Sequence, residues 1–111
     1  MGLRIFIFAL IFLTGCRKST EEIPRGIISR DSMIFIMADI HIAEARIMKS
    51  GSKSSNRDLR SAYMQKVLTK SGVDTARFRK SFDYYSLHPE IFAEMYEDVV
   101  VVISKKQAES K

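Results

Sequence analysis

Four stretches with helical periodicity follow one another between residues 29 and 107. In each stretch apolar residues recur at intervals of three and four, the spacing that places them on one side of an α-helix. None shows the period-two alternation of a half-buried strand. The pattern therefore predicts an all-α domain, a compact bundle of about four helices.

Short polar residues and glycines mark the ends of the first two helices. Ser29 or Asp31 can cap the first helix, since a short oxygen-bearing side chain satisfies a free backbone N–H, and this helix is expected to run to about Met48. Asn56 can cap the second helix, and Gly72 is expected to end it. The polar residues between the two helices predict a flexible loop.

The third helix is expected to begin after Asp74, and the fourth at Pro89, because proline is favoured at the first helical position. The β-branched run 99–103 is compatible with a strand. The amphipathic stripe that starts at Ile91 continues through this run, which favours a helix. A disordered tail is expected from about Lys105, with residues 108–111 outside the helical domain.

Each predicted helix has an apolar stripe that we expect to form the core. On the first helix the stripe is Met33, Ile36, Met37, Ile40, Ala43, Ile47 and Met48. On the other helices it is Leu59, Tyr63, Met64, Val67 and Leu68, then Phe78, Phe82 and Tyr85, then Ile91, Phe92, Met95, Tyr96, Val99, Val102 and Ile103.

The residues before the bundle have the organisation of an export signal. Arg4 precedes nine consecutive apolar residues, 5–13, and Leu13-Thr14-Gly15-Cys16 follows. The apolar run is shorter than the roughly 20 residues of a membrane-spanning helix. Leu-Thr-Gly-Cys resembles the bacterial lipobox, where signal peptidase II cuts before a lipid-modified cysteine. We expect residues 1–15 to be removed, Cys16 to carry acyl chains such as palmitate, and residues 17–28 to form a tether.

Lipidation at Cys16 has consequences for location and chemistry. Two or more acyl chains hold a protein stably on a membrane. By analogy with the sorting rule of enteric bacteria, Arg17 rather than aspartate after the cysteine favours the outer membrane. The periplasmic side is expected, although the acidic pair Glu21-Glu22 leaves surface display open. Cys16 is the only cysteine, so neither a disulfide nor a cysteine nucleophile is expected.

Charge is distributed unevenly along the chain. Residues 49–80 contain nine basic residues and only two acidic ones, whereas residues 81–98 contain five acidic residues and no lysine or arginine. The basic residues, called the basic patch below, are Lys49, Lys53, Arg57, Arg60, Lys66, Lys70, Arg77, Arg79 and Lys80.

Ordinary solvated helix faces explain such a pattern by default. The alternative is docking to anionic lipid head groups or to an acidic partner. The acidic segment 81–98 is compatible with a basic partner or another copy of the chain. An exported protein rarely meets nucleic acid, so none is expected as a partner.

His41 and Glu44 are the strongest candidates for chemistry in the first helix. At 100° per residue Glu44 falls within the apolar arc and His41 at its edge. A buried carboxylate is costly unless it is paired, so Glu44 is expected to bond to His41, a tyrosine hydroxyl or an arginine. Di-iron bundles use similar spacing but need several more inward carboxylates. Structural hydrogen bonding is therefore favoured over metal binding.

No catalytic motif is present. The chain has no nucleophile elbow, zinc-protease motif, phosphate-binding glycine loop or dinucleotide fingerprint. His88, before the proline of the fourth helix, is expected to cap or pack rather than act as a base. The sequence thus predicts a protein that is not an enzyme and has neither cofactor nor metal.

Two motifs carry a resemblance to a known family. Residues 38–45 read Ala-Asp-Ile-His-Ile-Ala-Glu-Ala, and residues 81–90 read Ser-Phe-Asp-Tyr-Tyr-Ser-Leu-His-Pro-Glu. Together with residues 23–33 and 95–99 they resemble a domain-of-unknown-function family, DUF4296, of small lipoproteins from the Bacteroidota. The resemblance spans roughly residues 23–104 and implies a helical fold and an envelope location, without an activity, substrate or cofactor.

The resemblance also indicates where to look for a structural or binding site. The residues that match the two motifs and carry polar side chains include Asp39, His41, Glu44, Ser81, Tyr85 and His88. Our hypothesis is that the motifs meet, with Glu44 or His41 bonded to Tyr85, Ser81 or the His88 cap.

The expected function is that of a non-enzymatic, membrane-anchored envelope lipoprotein whose helical domain is a protein-interaction or adaptor module. The alternative is a ligand-binding or chaperone-like module that holds a peptide or lipid in a groove between helices, which requires an exposed apolar groove.

Overall fold

The computed structural model describes residues 22–51 and 56–111. This part of the chain contains four α-helices: α1 (Arg30–Lys49), α2 (Asn56–Lys70), α3 (Thr75–Ser86) and α4 (Pro89–Glu109). The predicted all-α bundle is confirmed, and residues 99–103 are helical. The expected signal peptide, Cys16 and Lys53 lie outside the described residues.

The starts of α1 and α3 follow the capping residues that the sequence predicts, whereas Asn56, predicted to cap α2, is the first residue of that helix. Ser29 caps α1, and its side-chain Oγ accepts a hydrogen bond from the Ser32 N–H at 3.3 Å. Asp74 caps α3, and its carboxylate accepts a shorter bond of 2.7 Å from the Arg77 N–H. After α2 the backbone turns at Gly72, whose φ of +69° is accessible to glycine without strain.

Helix α4 is longer than predicted. It begins at Pro89 and continues to Glu109, so the tail from Lys105 onwards, predicted to be disordered, is helical up to that residue. The prediction was wrong because the apolar stripe ends before the helix does. The last two turns contain lysine, glutamine, alanine and glutamate, which are good helix formers, and Lys106 there forms an ion pair with Asp39 of α1.

Helix α1 is the centre of the core, because α2 and α4 both pack on it. Asp39 contacts Lys106, whereas His41, only two residues further along α1, contacts Tyr96. Lys106 and Tyr96 are ten residues, or about 15 Å, apart along α4. The two helices therefore cross obliquely, and Met33, Ala38, Met95 and Val99 are fully buried.

The apolar stripes predict most of the buried residues, but Tyr63, placed in the core by the pattern of α2, is 37% exposed, and Ile34 and Ala38, which lie outside the predicted stripe of α1, are buried. Met48 is 73% exposed because α1 extends past the end of the core. Ile27 and Ile28, placed in the tether by the sequence pattern, belong to the core instead. A two-residue segment outside a helix is too short to show periodicity, so the pattern does not reveal it.

None of the helices in the described ranges is both long and apolar enough to cross a membrane.

Candidate functional site

The buried polar side chains of α3 hold the segment before α1. The Ser81 Oγ accepts a hydrogen bond of 2.9 Å from the Ile28 N–H, and the Tyr85 hydroxyl donates one of 2.7 Å to the Ile28 carbonyl. The Ser81 hydroxyl in turn donates to the Arg77 carbonyl at 2.8 Å. Both backbone groups of Ile28 are thus satisfied away from water. Burial raises the pKa of the Tyr85 hydroxyl, and the neighbouring Tyr84 raises it further.

The chain reaches Ile28 through a tight turn. The Ile27 N–H donates to the Pro24 carbonyl at 3.3 Å, and Gly26 in the turn has a φ of +86°. The Arg77 Nε donates to the Gly26 carbonyl at 3.2 Å. Residues 24–28 are therefore attached to α3 by hydrogen bonds between side chains of α3 and backbone groups of Gly26 and Ile28, and only the residues before them remain as the expected tether.

The two sequence motifs do not meet through the hydrogen bonds that we expected. Ser81 and Tyr85 bond to Ile28, and no hydrogen bond joins either to His41 or Glu44 among the described residues. The reason is position along α1. Glu44 lies sixteen residues beyond Ile28, about 24 Å away along a helix axis. The second motif instead fixes the amino-terminal end of α1.

Glu44 has the first of its expected partners. The Glu44 Oε2 and the His41 Nδ1 are 3.8 Å apart, and the two side chains are 46% and 42% exposed. The carboxylate is therefore not buried, in contrast to the prediction from its angular position, because it lies at the rim of the core rather than within it. On its other side the centroid of the His41 ring is 6.1 Å from the centroid of the Tyr96 ring.

His88 packs against α3 from the first position before α4. Its Nδ1 is 2.7 Å from the Tyr84 carbonyl, and the two rings are 4.6 Å apart. His88 makes no side-chain capping bond to α4. Of the two roles expected for His88, packing is therefore the one that its contacts show. These contacts join the start of α4 to the end of α3.

A hollow of about 340 Å³ opens beside His41 and Glu44 and is called the His41 hollow below. Its walls are mainly apolar, with the imidazole, the carboxylate and a phenol as the polar groups. It is lined by Met37, Ile40, His41, Glu44, Met64, Phe78, Phe82 and Tyr96. The arrangement suits a small apolar molecule or chain. It offers no nucleophile.

A larger groove of about 710 Å³ lies on the other flank of α1 and is called the basic groove below. Helices α2 and α4 both pack on α1 but hardly on each other, so a gap remains between them. The apolar floor includes Ile42, Val67 and Ile103. Five basic side chains line the groove: Arg46, Lys49, Lys66, Lys70 and Lys106.

The charges of the basic groove are mostly unbalanced. Lys106 forms an ion pair with Asp39, the only carboxylate among the lining residues. Within residues 22–51 and 56–111, Arg46, Lys49, Lys66 and Lys70 have no ion-pair partner. Four cations that line one concavity give it a positive potential.

Only part of the basic patch predicted from the sequence lines the basic groove. Lys49, Lys66 and Lys70 line it, whereas Arg79 and Lys80 are exposed on α3. The remaining described arginines, Arg57, Arg60 and Arg77, also lie outside it. Sequence reasoning missed Arg46 and Lys106, which lie outside the window 49–80. Helical spacing gave a signal for one of them, because Arg46 is one turn before Lys49.

No group of three His, Cys, Asp or Glu side chains in the described part of the chain is arranged to hold a metal ion. Asp39 lines the basic groove and Glu44 lines the His41 hollow, whereas His41 lines both.

The fold is that of a small all-α protein with a basic groove and an apolar hollow beside α1. The model of the family described as "Domain of unknown function (DUF4296)" matches residues 24–109, and the chain belongs to this family. No curated protein matches the chain, and no solved structure matches it. Family membership thus agrees with the resemblance carried by the two motifs and adds no activity.

Proposed function

We propose that the chain is a non-enzymatic envelope lipoprotein of the Bacteroidota, anchored through Cys16 to the outer membrane on the periplasmic side, whose helical domain is a protein-interaction module. The lipobox-like Leu13-Thr14-Gly15-Cys16 supports the anchor. The basic groove supports the interaction. In this proposal the groove binds an acidic segment of another envelope protein molecule.

The observation that carries the proposal is the unbalanced charge of the groove over an apolar floor. Lys66 and Lys70 are one turn apart on the same face of α2, where like charges repel by about 0.2–0.5 kcal/mol. Asp39 is the one carboxylate among the lining residues, so the positive charge of the groove is not balanced within it. An acidic partner supplies the counter-charge and covers Ile42, Val67 and Ile103 at the same time.

The test is site-specific photo-cross-linking in intact cells. A benzoylphenylalanine at Gln107, an exposed residue of the groove, is placed in the full lipoprotein. We expect capture of a discrete envelope protein. The double substitution Lys66→Glu, Lys70→Glu is expected to lower its yield at least about tenfold, since like charges at an interface cost several kcal/mol.

The matched control is Arg79→Glu, Lys80→Glu, which makes the same charge change on α3 outside the groove. It is expected to leave the yield unchanged. Equal loss in both double variants, or no capture from Gln107 in lipidated protein, contradicts the proposal. Labelling with a radioactive fatty acid, lost in Cys16→Ser, checks the anchor separately.

The His41 hollow favours a second candidate function, that of a module holding a lipid or peptide. Its apolar walls and its position between α1, α2, α3 and α4 suit an acyl chain. Titration with a dansylated fatty acid tests it. Saturable, equimolar binding that Met64→Trp abolishes and Val100→Trp preserves supports this candidate, since Val100 is exposed on the outer side of α4. Non-saturating binding argues against it.

A further inference from the structure

The outer face of α4 carries negative charge of the kind that would balance the cations of the basic groove. Glu90, Glu94, Glu97 and Val101 follow one another at intervals of four, three and four residues, so they form one stripe along the helix. All four are exposed. Val100 lies beside the stripe and is 59% exposed. This surface, called the acidic stripe below, is a row of carboxylates that ends in two uncovered apolar side chains.

The acidic stripe is largely free of internal partners. Arg30 is 3.9 Å from Glu94 and makes its closer contact, 3.0 Å, with Asp98 at the edge of the stripe. Among the described residues Glu90 and Glu97 have no ion-pair partner. One molecule therefore presents an unbalanced basic concavity and an unbalanced acidic convex helix face on different parts of its surface.

We propose, building on the interaction function proposed above, that the occupant of the basic groove is the acidic stripe of a second copy of this chain. The carboxylates of one copy lie between the cations of α1 and α2 of the next. Val100 and Val101 cover the apolar floor formed by Ile42, Val67 and Ile103. A helix that lays such a face into a groove is a common mode of protein recognition.

Charge and apolar area both favour this occupant over a bilayer. Anionic head groups neutralise lysines but leave the valines of α4 unexplained, whereas a second copy accounts for both unbalanced surfaces. The contact is head to tail, because groove and stripe are different surfaces of the molecule. Copies anchored in one membrane have a raised effective concentration, so even a weak contact becomes populated.

The stripe and the groove also belong to different parts of α4. The carboxylates occupy its first half, whereas Ile103, Lys106 and Gln107 contribute to the groove from its second half. A copy that donates its stripe therefore keeps its own groove open for the next copy. The assembly grows as a row along the membrane unless its rotation closes a ring.

The experiment places a benzoylphenylalanine at Val101 in the full lipoprotein and irradiates intact cells. We expect a product of twice the mass, with the cross-link mapped by mass spectrometry to residues of the basic groove in the second copy. Glu97→Lys is expected to reduce the yield at least about tenfold. The matched control Asp83→Lys, an exposed carboxylate of α3, is expected to leave it unchanged.

Charge exchange between two copies makes the test specific. A tagged copy with Glu97→Lys and a differently tagged copy with Lys66→Glu are expected to cross-link to each other better than either does to itself. Restored contact of this kind cannot come from misfolding of one variant. Failure of the exchange, with both variants folded by circular dichroism, overturns the proposal.

The outcomes separate this proposal from the function on which it rests. If Val101 captures no second copy while Gln107 captures a different protein in a groove-dependent manner, self-association is wrong and the interaction function stands. If neither position captures any protein, both are wrong. Links between copies that map to α3 instead of the groove overturn the proposed contact between the acidic stripe and the basic groove.

Discussion

At the scale of single residues, Ser81 and Tyr85 act on the two backbone groups of Ile28. The serine accepts from its N–H and the tyrosine donates to its carbonyl, while the side chain of Ile28 enters the core with 2% exposure. A buried backbone group without a partner costs as much as a lost hydrogen bond. The two hydroxyls therefore allow a non-helical segment to be buried.

Removal of the Tyr85 hydroxyl tests this role. Tyr85→Phe keeps the ring in place and leaves the Ile28 carbonyl without a donor, so we expect the free energy of unfolding to fall by about 1–3 kcal/mol. Urea denaturation followed by circular dichroism measures it. Tyr84→Phe is the matched control, because no hydrogen bond of its hydroxyl is present within the described residues. Equal losses in the two variants contradict the role assigned to Tyr85.

The raised pKa of Tyr85 predicts a loss of stability in alkali. Burial raises the pKa of this hydroxyl above its usual value of 10.0. In the interval above pH 10 the folded chain therefore keeps a proton that the unfolded chain has released, and the free energy of unfolding falls as pH rises. Stability measured from pH 8 to 11 is expected to decline more steeply in the wild type than in Tyr85→Phe. Parallel curves contradict this prediction.

At the scale of helices and turns, features that depend on neighbouring residues can be predicted from the sequence, whereas individual tertiary contacts cannot. Ser29, Asp74 and Pro89 mark helix starts because capping depends on one or two neighbouring residues. The apolar stripes likewise identify Met33, Met95 and most of the core. The extent of α4 beyond Lys105 depends on weak propensities and on the ion pair between Lys106 and Asp39, a tertiary contact, and the sequence pattern did not predict it.

The candidate site was predictable to a smaller degree. The proximity of His41 and Glu44 follows from helical spacing alone. The bonds of Ser81 and Tyr85 end on backbone atoms of Ile28, which are the same in every residue and leave no mark in a side-chain pattern. Lys106 joins the basic groove only because α4 crosses α1, a relation between residues 67 positions apart.

The cap of α3 gives a test at the scale of a single helix. Asp74→Ala removes the carboxylate that accepts from the Arg77 N–H, and the free energy of unfolding is expected to drop by about 1 kcal/mol. Asp83→Ala serves as control, since Asp83 is an exposed carboxylate inside the same helix. A larger loss in Asp83→Ala than in Asp74→Ala disproves the assigned capping role.

At the scale of the whole molecule, the basic groove exists because α2 and α4 both pack on α1 but hardly pack on each other. Among the described side chains of α2, Leu68 alone is fully buried and Met64 and Val67 pack partly against the core, so most of the other side chains of this helix are exposed. Repulsion between the cations of α2 lowers the free energy of unfolding. Such a loss of stability is expected where a surface serves binding.

Neutralisation of one groove cation tests that cost. Lys66→Gln removes repulsion with Lys70, and we expect the free energy of unfolding to rise by about 0.2–0.5 kcal/mol at low salt. At 1 M salt, where the screening length is about 3 Å, the gain is expected to disappear. The same variant is expected to lower cross-linking through the groove. A gain that persists at high salt shows that charge repulsion is not the cause.

The turn at Gly26 and the burial of Ile28 also have a mechanical consequence. Tension applied to the chain from its amino-terminal side meets the fold first at residues 24–28, before it reaches any helix. There the load is shared by the hydrogen bonds of Arg77, Ser81 and Tyr85, all of which come from α3. Force applied from this side is therefore expected to reach α3 through these bonds before it reaches the far end of α1.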